Sequence, residues 1–191
     1  MTVSGVAIPM IETDRLTLRA FTEADLADYT TMMRRPEVRF LLRLPDSFDE
    51  YAAWEQLAAF TGQWALRGTG QWAVVERSSG RLVGRAGLHR PHRRDWPGVE
   101  VGWALHPDAW GRGYATEAGR AAIDWAFANL DVDVLHSMIH VENPKSMAVA
   151  RRLGFVLAET RVFAWYPALA HGRWELRRPG RPPSELVFGN P

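Results

Sequence analysis

Residues 15–21, RLTLRAF, alternate polar and apolar side chains with a period of two, the pattern of a half-buried strand. Thr22 followed by Asp25 forms a capping box with Asp in place of the usual Glu, which predicts a helix running to about Met33. A second box at Ser47 and Glu50 precedes an apolar-periodic stretch through Tyr51, Trp54, Leu57 and Ala58, so a second helix is expected to end near Gly68. From Gln71 to Leu105 the period returns to two: QWAVVE, the turn signal SSG, RLVGRAGLH, a loop rich in Pro, Arg and His, then VEVGWAL. Three antiparallel strands in a meander are predicted.

Helical spacing resumes at 116–130, with Ala118, Ala122, Trp125 and Ala126 on one stripe and Ile123, Phe127 and Leu130 on the next. Such a face is broad enough to lie on a sheet. A strand at 134–141, a short helix at 144–153, a strand at 155–163 and a last strand near 172–178 follow. This order predicts an α+β fold, one mixed twisted sheet of about six or seven strands flanked by helices. No internal repeat of about 20 to 50 residues is present. The expected organisation is an N-terminal extension at 1–10, one domain at 11–178, and a mobile tail at 179–191. Within that tail, SELVF at 184–188 would add an edge strand or touch a second subunit.

A chain of 191 residues supports one well-buried core and not two ordinary domains. With 47% hydrophobic and 24% charged residues it is ordinary globular material. The absence of cysteine removes disulfides, thiolate zinc sites and a cysteine nucleophile. A net charge of +1 lacks the basic field of a nucleic-acid binder. No stretch approaches the roughly 20 apolar residues of a membrane helix, and the first eleven residues lack a signal-peptide pattern, so a cytoplasmic protein is expected. Lys145 is the single lysine among 23 basic residues, which confines any Schiff-base chemistry to that position. The pairs His89/His92 and His136/His140 have no acidic residue at ligand spacing beside them, so no metal is expected.

Two segments carry candidate chemistry. Trp110-Gly111-Arg112-Gly113-Tyr114-Ala115-Thr116-Glu117-Ala118 lies between a strand ending near Leu105 and a long helix. Its glycines let a ligand approach the backbone, and consecutive amides feeding a helix N-terminus suit a pyrophosphate. The third glycine of a dinucleotide fingerprint would fall at Thr116 and no Gly-Lys-Ser/Thr follows, so neither NAD nor Mg-ATP is favoured. A tight strand-to-helix turn with no ligand is the alternative. In the second segment Asn143 reads as an N-cap and Pro144 as the first helical residue, placing Ser146 at the helix mouth, with Gly154 as the stop.

Together, the strand, W-G-R-G-Y-A-T-E-A, the next strand and N-P-x-S through R-L-G-F resemble the GNAT acetyltransferase superfamily over roughly residues 11–165. The opening E-T-D-R-L-x-L-R at Glu12 to Arg19 is similar to that of the branch containing the ribosomal-protein alanine N-acetyltransferases. The resemblance implies acetyl-coenzyme A as acyl donor, with its pyrophosphate on the amides of Gly111, Arg112, Gly113, Tyr114 and Ala115, flanked by Trp110 and Thr116. It implies a pantetheine arm between splayed parallel strands near 99–105 and 134–141, held by the backbone of Trp103, Ala104 and Leu105 and by Asn143.

In this family many members carry Gln or Arg where Trp110 stands, and a tyrosine general acid where Ala150 stands, so another group, or water, must protonate the leaving thiolate. On the strand at 99–105, Glu100, Gly102 and Ala104 share a face, a carboxylate beside two very small side chains. Glu100 is therefore the candidate base, and pairing with a neighbouring arginine is its competing role. Ser146 is the candidate proton donor, with a solvated helix-start serine as the alternative. Tyr114 is expected as an exposed loop tyrosine, with its hydroxyl as an alternative proton donor, Glu117 as a favourable charge at the helix start, and His140 as a reserve base.

The expected acceptor is a small-molecule amine or a peptide N-terminus, bound by about Arg34 to Trp54 and Phe163 to Arg173, stretches that include Trp165 and Tyr166. Nucleic acid and membrane are not expected as partners. Both a monomer and a homodimer fit. A noncatalytic acyl-coenzyme A sensor or interaction module is the alternative to an enzyme.

Overall fold

Alternation along the chain builds the sheet. The computed structural model describes residues 7–93, 95–164 and 166–180. Its strands are β1 (Ile11–Glu12), β2 (Leu16–Arg19), β3 (Gln71–Glu76), β4 (Leu82–His89), β5 (Glu100–Leu105), β6 (Val134–His140), β7 (Val156–Phe163) and β8 (Tyr166–Arg177). They form one sheet in the order β1-β2-β3-β4-β5-β6-β8-β7. Every neighbouring pair is antiparallel except β5 and β6. The strand beyond the seven that the pattern predicts is β1, two residues long and too short to show a period. β8 starts at Tyr166 instead of near 172, because it pairs with both β6 and β7 although its PALAHG stretch has no alternation. Residues 184–188 and the side chains of Trp165 and Tyr166 lie outside the described residues.

The parallel pair is short. β5 and β6 share one register position, Glu100 opposite His136, where the His136 amide donates to the Val99 carbonyl at 2.9 Å. Two residues on, the Met138 amide donates to the Glu100 carboxylate at 3.2 Å and not to a strand carbonyl. β4 and β5, by contrast, keep register over six positions.

Five helices cover the sheet: α1 (Leu26–Met33), α2 (Pro36–Leu42), α3 (Glu50–Arg67), α4 (Tyr114–Asn129) and α5 (Pro144–Arg152). The Thr22–Asp25 box is present, with Asp25 accepting from the Thr22 amide at 2.8 Å and clamped by Arg19 through two 2.7 Å bonds. α3 is capped by Asp49, whose carboxylate accepts from the Ala52 amide at 2.9 Å, so the expected cap at Ser47 is corrected by two residues. Sequence periodicity missed α2, a seven-residue helix opened by Pro36 and closed by Arg43 in the left-handed region. Only Val38 of α2 is buried, so it lacks an apolar stripe to read.

Two apolar clusters hold these layers. One lies between the sheet, α4 and α5, around Trp72, Leu88, Val101, Ala118, Ile123 and Leu135. The other joins α1, α2 and α3 through Tyr29, Met33, Val38, Leu57 and Phe60. Trp64, Trp72 and Trp125 meet edge to face at 4.8 to 5.5 Å, tying α3 and α4 to β3. Arg178 donates to the carbonyls of Phe127, Leu130 and Val132, which satisfies the C-terminal end of α4. Among the described residues no helix is long and apolar enough to cross a membrane.

Candidate active site

The turn from β5 into α4 is set by two glycines. Gly111 (φ 75°) and Gly113 (φ 81°) both occupy the left-handed region, and Gly113 caps α4, which therefore starts at Tyr114 and not at the expected 116. None of the five amides from Gly111 to Ala115 donates to another backbone carbonyl among the described residues. The loop borders a cavity of about 1140 Å³ whose lining includes Trp103, Ala104, Leu105, Trp110, Gly111, Gly113, Tyr114, Ala115, Thr116, Asn143 and Ser146. Eleven of the twelve predicted binding positions thus meet in one place. The exception is Arg112, whose half-exposed guanidinium leaves the cavity to pair with Glu76 at 2.6 Å.

Tyr114 also departs from expectation. It is buried, and its hydroxyl donates to Glu76 at 2.5 Å, so it is neither an exposed loop residue nor an available proton donor. Hydrogen bonds from Ser79 and Tyr114, with Arg112 nearby, hold the Glu76 carboxyl down at about 2. Glu117 does more than favour the helix dipole. It accepts from Thr13 at 2.6 Å and from the Arg15 amide at 2.9 Å and ion-pairs with the Arg15 guanidinium, pinning the first β turn to α4. Burial opposes ionisation there, but these donors hold its carboxyl below the usual range.

Trp110 anchors the loop's entrance. Its indole N–H donates to the Leu105 carbonyl at 2.8 Å, and the Lys145 ammonium lies 4.1 Å from its ring centre. Sequence reasoning left out four cations on the same wall: Arg15, Arg120, Lys145 and Arg152, against the single carboxylate of Glu117. Arg120 was legible, since it lies four residues after Thr116 on one helix face. Arg15 was not, because it is brought over from the first strand.

Asn143 caps α5 by accepting from the Ser146 amide at 3.0 Å, as the N-P-x-S spacing predicts. Ser146 sits at the third helical position, on the cavity wall. Ala150 is fully buried in the core cluster and presents no polar atom to the cavity.

Glu100 does not line this cavity. It lines a neighbouring one of about 400 Å³, together with Phe60, Arg85, His89, Trp96 and His171. Leu41, Leu42, Trp103, Asn143 and Ser146 line both cavities and mark their junction. Glu100 is partnered by His89, whose Nδ1 lies 3.2 Å from one carboxylate oxygen, and by the Met138 amide, which donates to the other. His140 and His171 face each other across β6 and β8 with ring centres 6.0 Å apart. The His140 Nε2–H donates to the Leu41 carbonyl, and burial pushes the pKa of both rings down.

On β5, alternation points the amides of Trp103 and Leu105 towards β6, beyond the single register position that the two strands share. Trp103 and Leu105 line the larger cavity together with Ser146.

The acetyltransferase (GNAT) domain family matches residues 15–156. An uncharacterised N-acetyltransferase of Bacillus subtilis, YoaA, is 25% identical over 150 residues, 77% of this chain and 82% of that protein. The crystal structure of an acetyltransferase from Agrobacterium tumefaciens is 31% identical, covers 90% of this chain and 96% of its own, and superposes with a TM-score of 0.76. A ribosomal-protein alanine acetyltransferase of Vibrio fischeri shares the fold at 17% identity and a TM-score of 0.72, over 92% of this chain and all of its own.

Proposed function

The chain belongs to the GNAT acetyltransferase family, and from that premise we propose that it moves acetyl from acetyl-coenzyme A to a primary amine, either a protein N-terminus or a small amine. The observation that carries this reading is the junction at Trp103, Asn143 and Ser146 between a cavity walled by amides and cations and one holding a carboxylate. The first cavity fits coenzyme A: two left-handed glycines and free amides suit its pyrophosphate, and four cations against one carboxylate suit its phosphates. When bound, the cofactor supplies a thioester open to attack.

The chain's own groups then have separate tasks. The amides of Gly111 to Ala115 hold the pyrophosphate. The edge of β5 pairs with the pantetheine arm as an added strand would, and the Trp103 and Leu105 amides provide donors for a developing oxyanion. An amine at neutral pH is mostly ammonium and must lose a proton before it attacks. Glu100 takes that proton, directly or through water, with its oxygens aimed by His89 and the Met138 amide. Ser146 offers its hydroxyl to the leaving thiolate from the start of α5.

Thiol release from acetyl-coenzyme A, measured against a panel of amines and short peptides, tests this assignment. Glu100→Gln is expected to lower kcat/KM for the amine by about 10²- to 10⁴-fold while coenzyme A binding persists. Coenzyme A binding without thiol release from any compound would instead indicate a noncatalytic acyl-coenzyme A module. Ala150 in the tyrosine position and the Glu76-bound hydroxyl of Tyr114 favour that second reading.

A further inference from the structure

The cavity that holds Glu100 also holds a cation that pairs with no opposite charge among the described residues. Arg85 projects from β4 on the face that carries Gln71, Gly87, His89, Glu100, Gly102 and Ala104, as the registers of β3, β4 and β5 require. The partners the structure gives its guanidinium are neutral. Nη1 donates to Gln71 Oε1 at 3.1 Å, the group stacks on the Phe60 ring at 5.3 Å, and it lies close enough to Tyr29 to oppose the rise in that hydroxyl's pKa to about 12. Its Nε is buried and has no hydrogen-bond partner. No carboxylate pairs with Arg85 among the described residues.

The other charges around the cavity are mostly accounted for. Arg43 pairs with Glu142, Glu100 with His89, and His140 and His171 are pushed towards the neutral form by burial. On the strand beside Arg85, Gly102 lines the cavity, and a side chain there would meet nothing closer than the Gln71 amide nitrogen at 3.8 Å, so the space above it is unfilled. A partly buried guanidinium without a counter-charge is costly, and an anion entering the cavity removes that cost.

We propose that Arg85, oriented by Gln71, is the subsite for a carboxylate on the acceptor, so that the acceptor class is an amine that also carries a carboxylate and not a polycation. Arg85 and Glu100 stand on neighbouring strands, displaced by four residues, roughly 13 Å along the sheet. A compound with opposite charges can therefore set its amine towards Glu100 and its carboxylate towards Arg85. A polyamine such as spermidine would meet Arg85 with like charge. The carboxylate has two sources, the C-terminus of a short peptide and an acidic side chain in one, each several bonds from the amine. This inference rests on the acetyl-transfer reading for taking the Glu100 cavity as the acceptor's.

Two readouts on the full chain test it. Calorimetry on coenzyme A-loaded protein compares the dipeptide Ala-Ala with its C-terminal amide, the C-amidated dipeptide Ala-Asp with Ala-Asn, and spermidine, and thiol release from acetyl-coenzyme A follows the same compounds. The carboxylate member of at least one pair is expected to win by about tenfold or more, and the pair that shows the preference identifies the source. In Arg85→Gln that ratio is expected to fall to near one, and Arg85→Lys, which keeps charge but loses the fork, to retain part of it. Coenzyme A titration checks that each variant is folded, and should Arg85→Gln fail, the reduced ratio in Arg85→Lys makes the comparison. Equal binding within both pairs, or a ratio untouched by either substitution, overturns the proposal. If no compound releases thiol, the acetyl-transfer reading fails by itself, and the calorimetric ratio still decides whether Arg85 holds a carboxylate.

Discussion

The two adjoining cavities are built in different ways. The larger one draws most of its wall from the short stretches 103–105, 109–111, 113–117 and 143–146, with side chains such as Arg15, Leu42, Arg120 and Arg152 completing it, and its centre presents two left-handed glycines and two helix N-termini. The Glu100 cavity takes side chains from α2, α3, β3, β4, β5, β6 and β8, elements scattered over 130 residues from Leu41 to His171. A wall of backbone depends on a few φ angles and tolerates most side chains. A wall of side chains depends on packing and protonation. The two cavities should therefore fail under different perturbations.

The sharpest way to break the first is Gly113→Val. A β-branched residue at φ 81° is strained by about 1–3 kcal/mol, and the new Cβ would come within 3.4 Å of the Arg15 guanidinium. The KM for acetyl-coenzyme A is expected to rise by about ten- to a hundredfold with the amine's KM unmoved, as steady-state kinetics would show. An equal rise in both constants would erase the distinction.

Acidification should act on the side-chain wall. Burial lowers the pKa of His140 and His171, and of His136 at the parallel register position. With folded-state values depressed, the unfolded chain takes up protons first, so this stability is present above about pH 6.5 and is lost as the pH falls. The loss is about 1.4 kcal/mol for each unit by which a histidine is depressed. Thermal melts between pH 7 and pH 5 should show a falling Tm, with a flatter profile in His140→Gln.

Trp110→Phe should give the smallest effect. It removes the bond to the Leu105 carbonyl but keeps an aromatic face for Lys145, costing about 1 kcal/mol, near fivefold in coenzyme A affinity. No change at all would mean that the glycines alone shape the loop.

The same contrast explains what could be read in advance. The glycine loop and the Asn143 cap were legible because their geometry follows from residue types a few positions apart, and 11 of the 12 predicted binding residues line one cavity. Glu100 was legible as a carboxylate among small neighbours, but its partner was not. His89 reaches it only through the register of β4 on β5. Tyr114 looked like an exposed loop residue because nothing local shows that Glu76, 38 positions earlier, ends β3 within reach of its hydroxyl. α2 was missed because a short helix with one buried residue leaves no periodic signal.

By itself, then, the order of residues determined the strands and helices with a clear period, the glycine turns and the Asn143 cap, since each is an interaction within about four positions. Tertiary structure decided which charges find partners: Glu76 with Tyr114 and Arg112, Glu117 with Arg15, Glu100 with His89, and Arg85 with no carboxylate among the described residues. Those outcomes depend on strand register and on how α3 and α4 lie over the sheet, and electrostatic energy depends on distances that chain order leaves open.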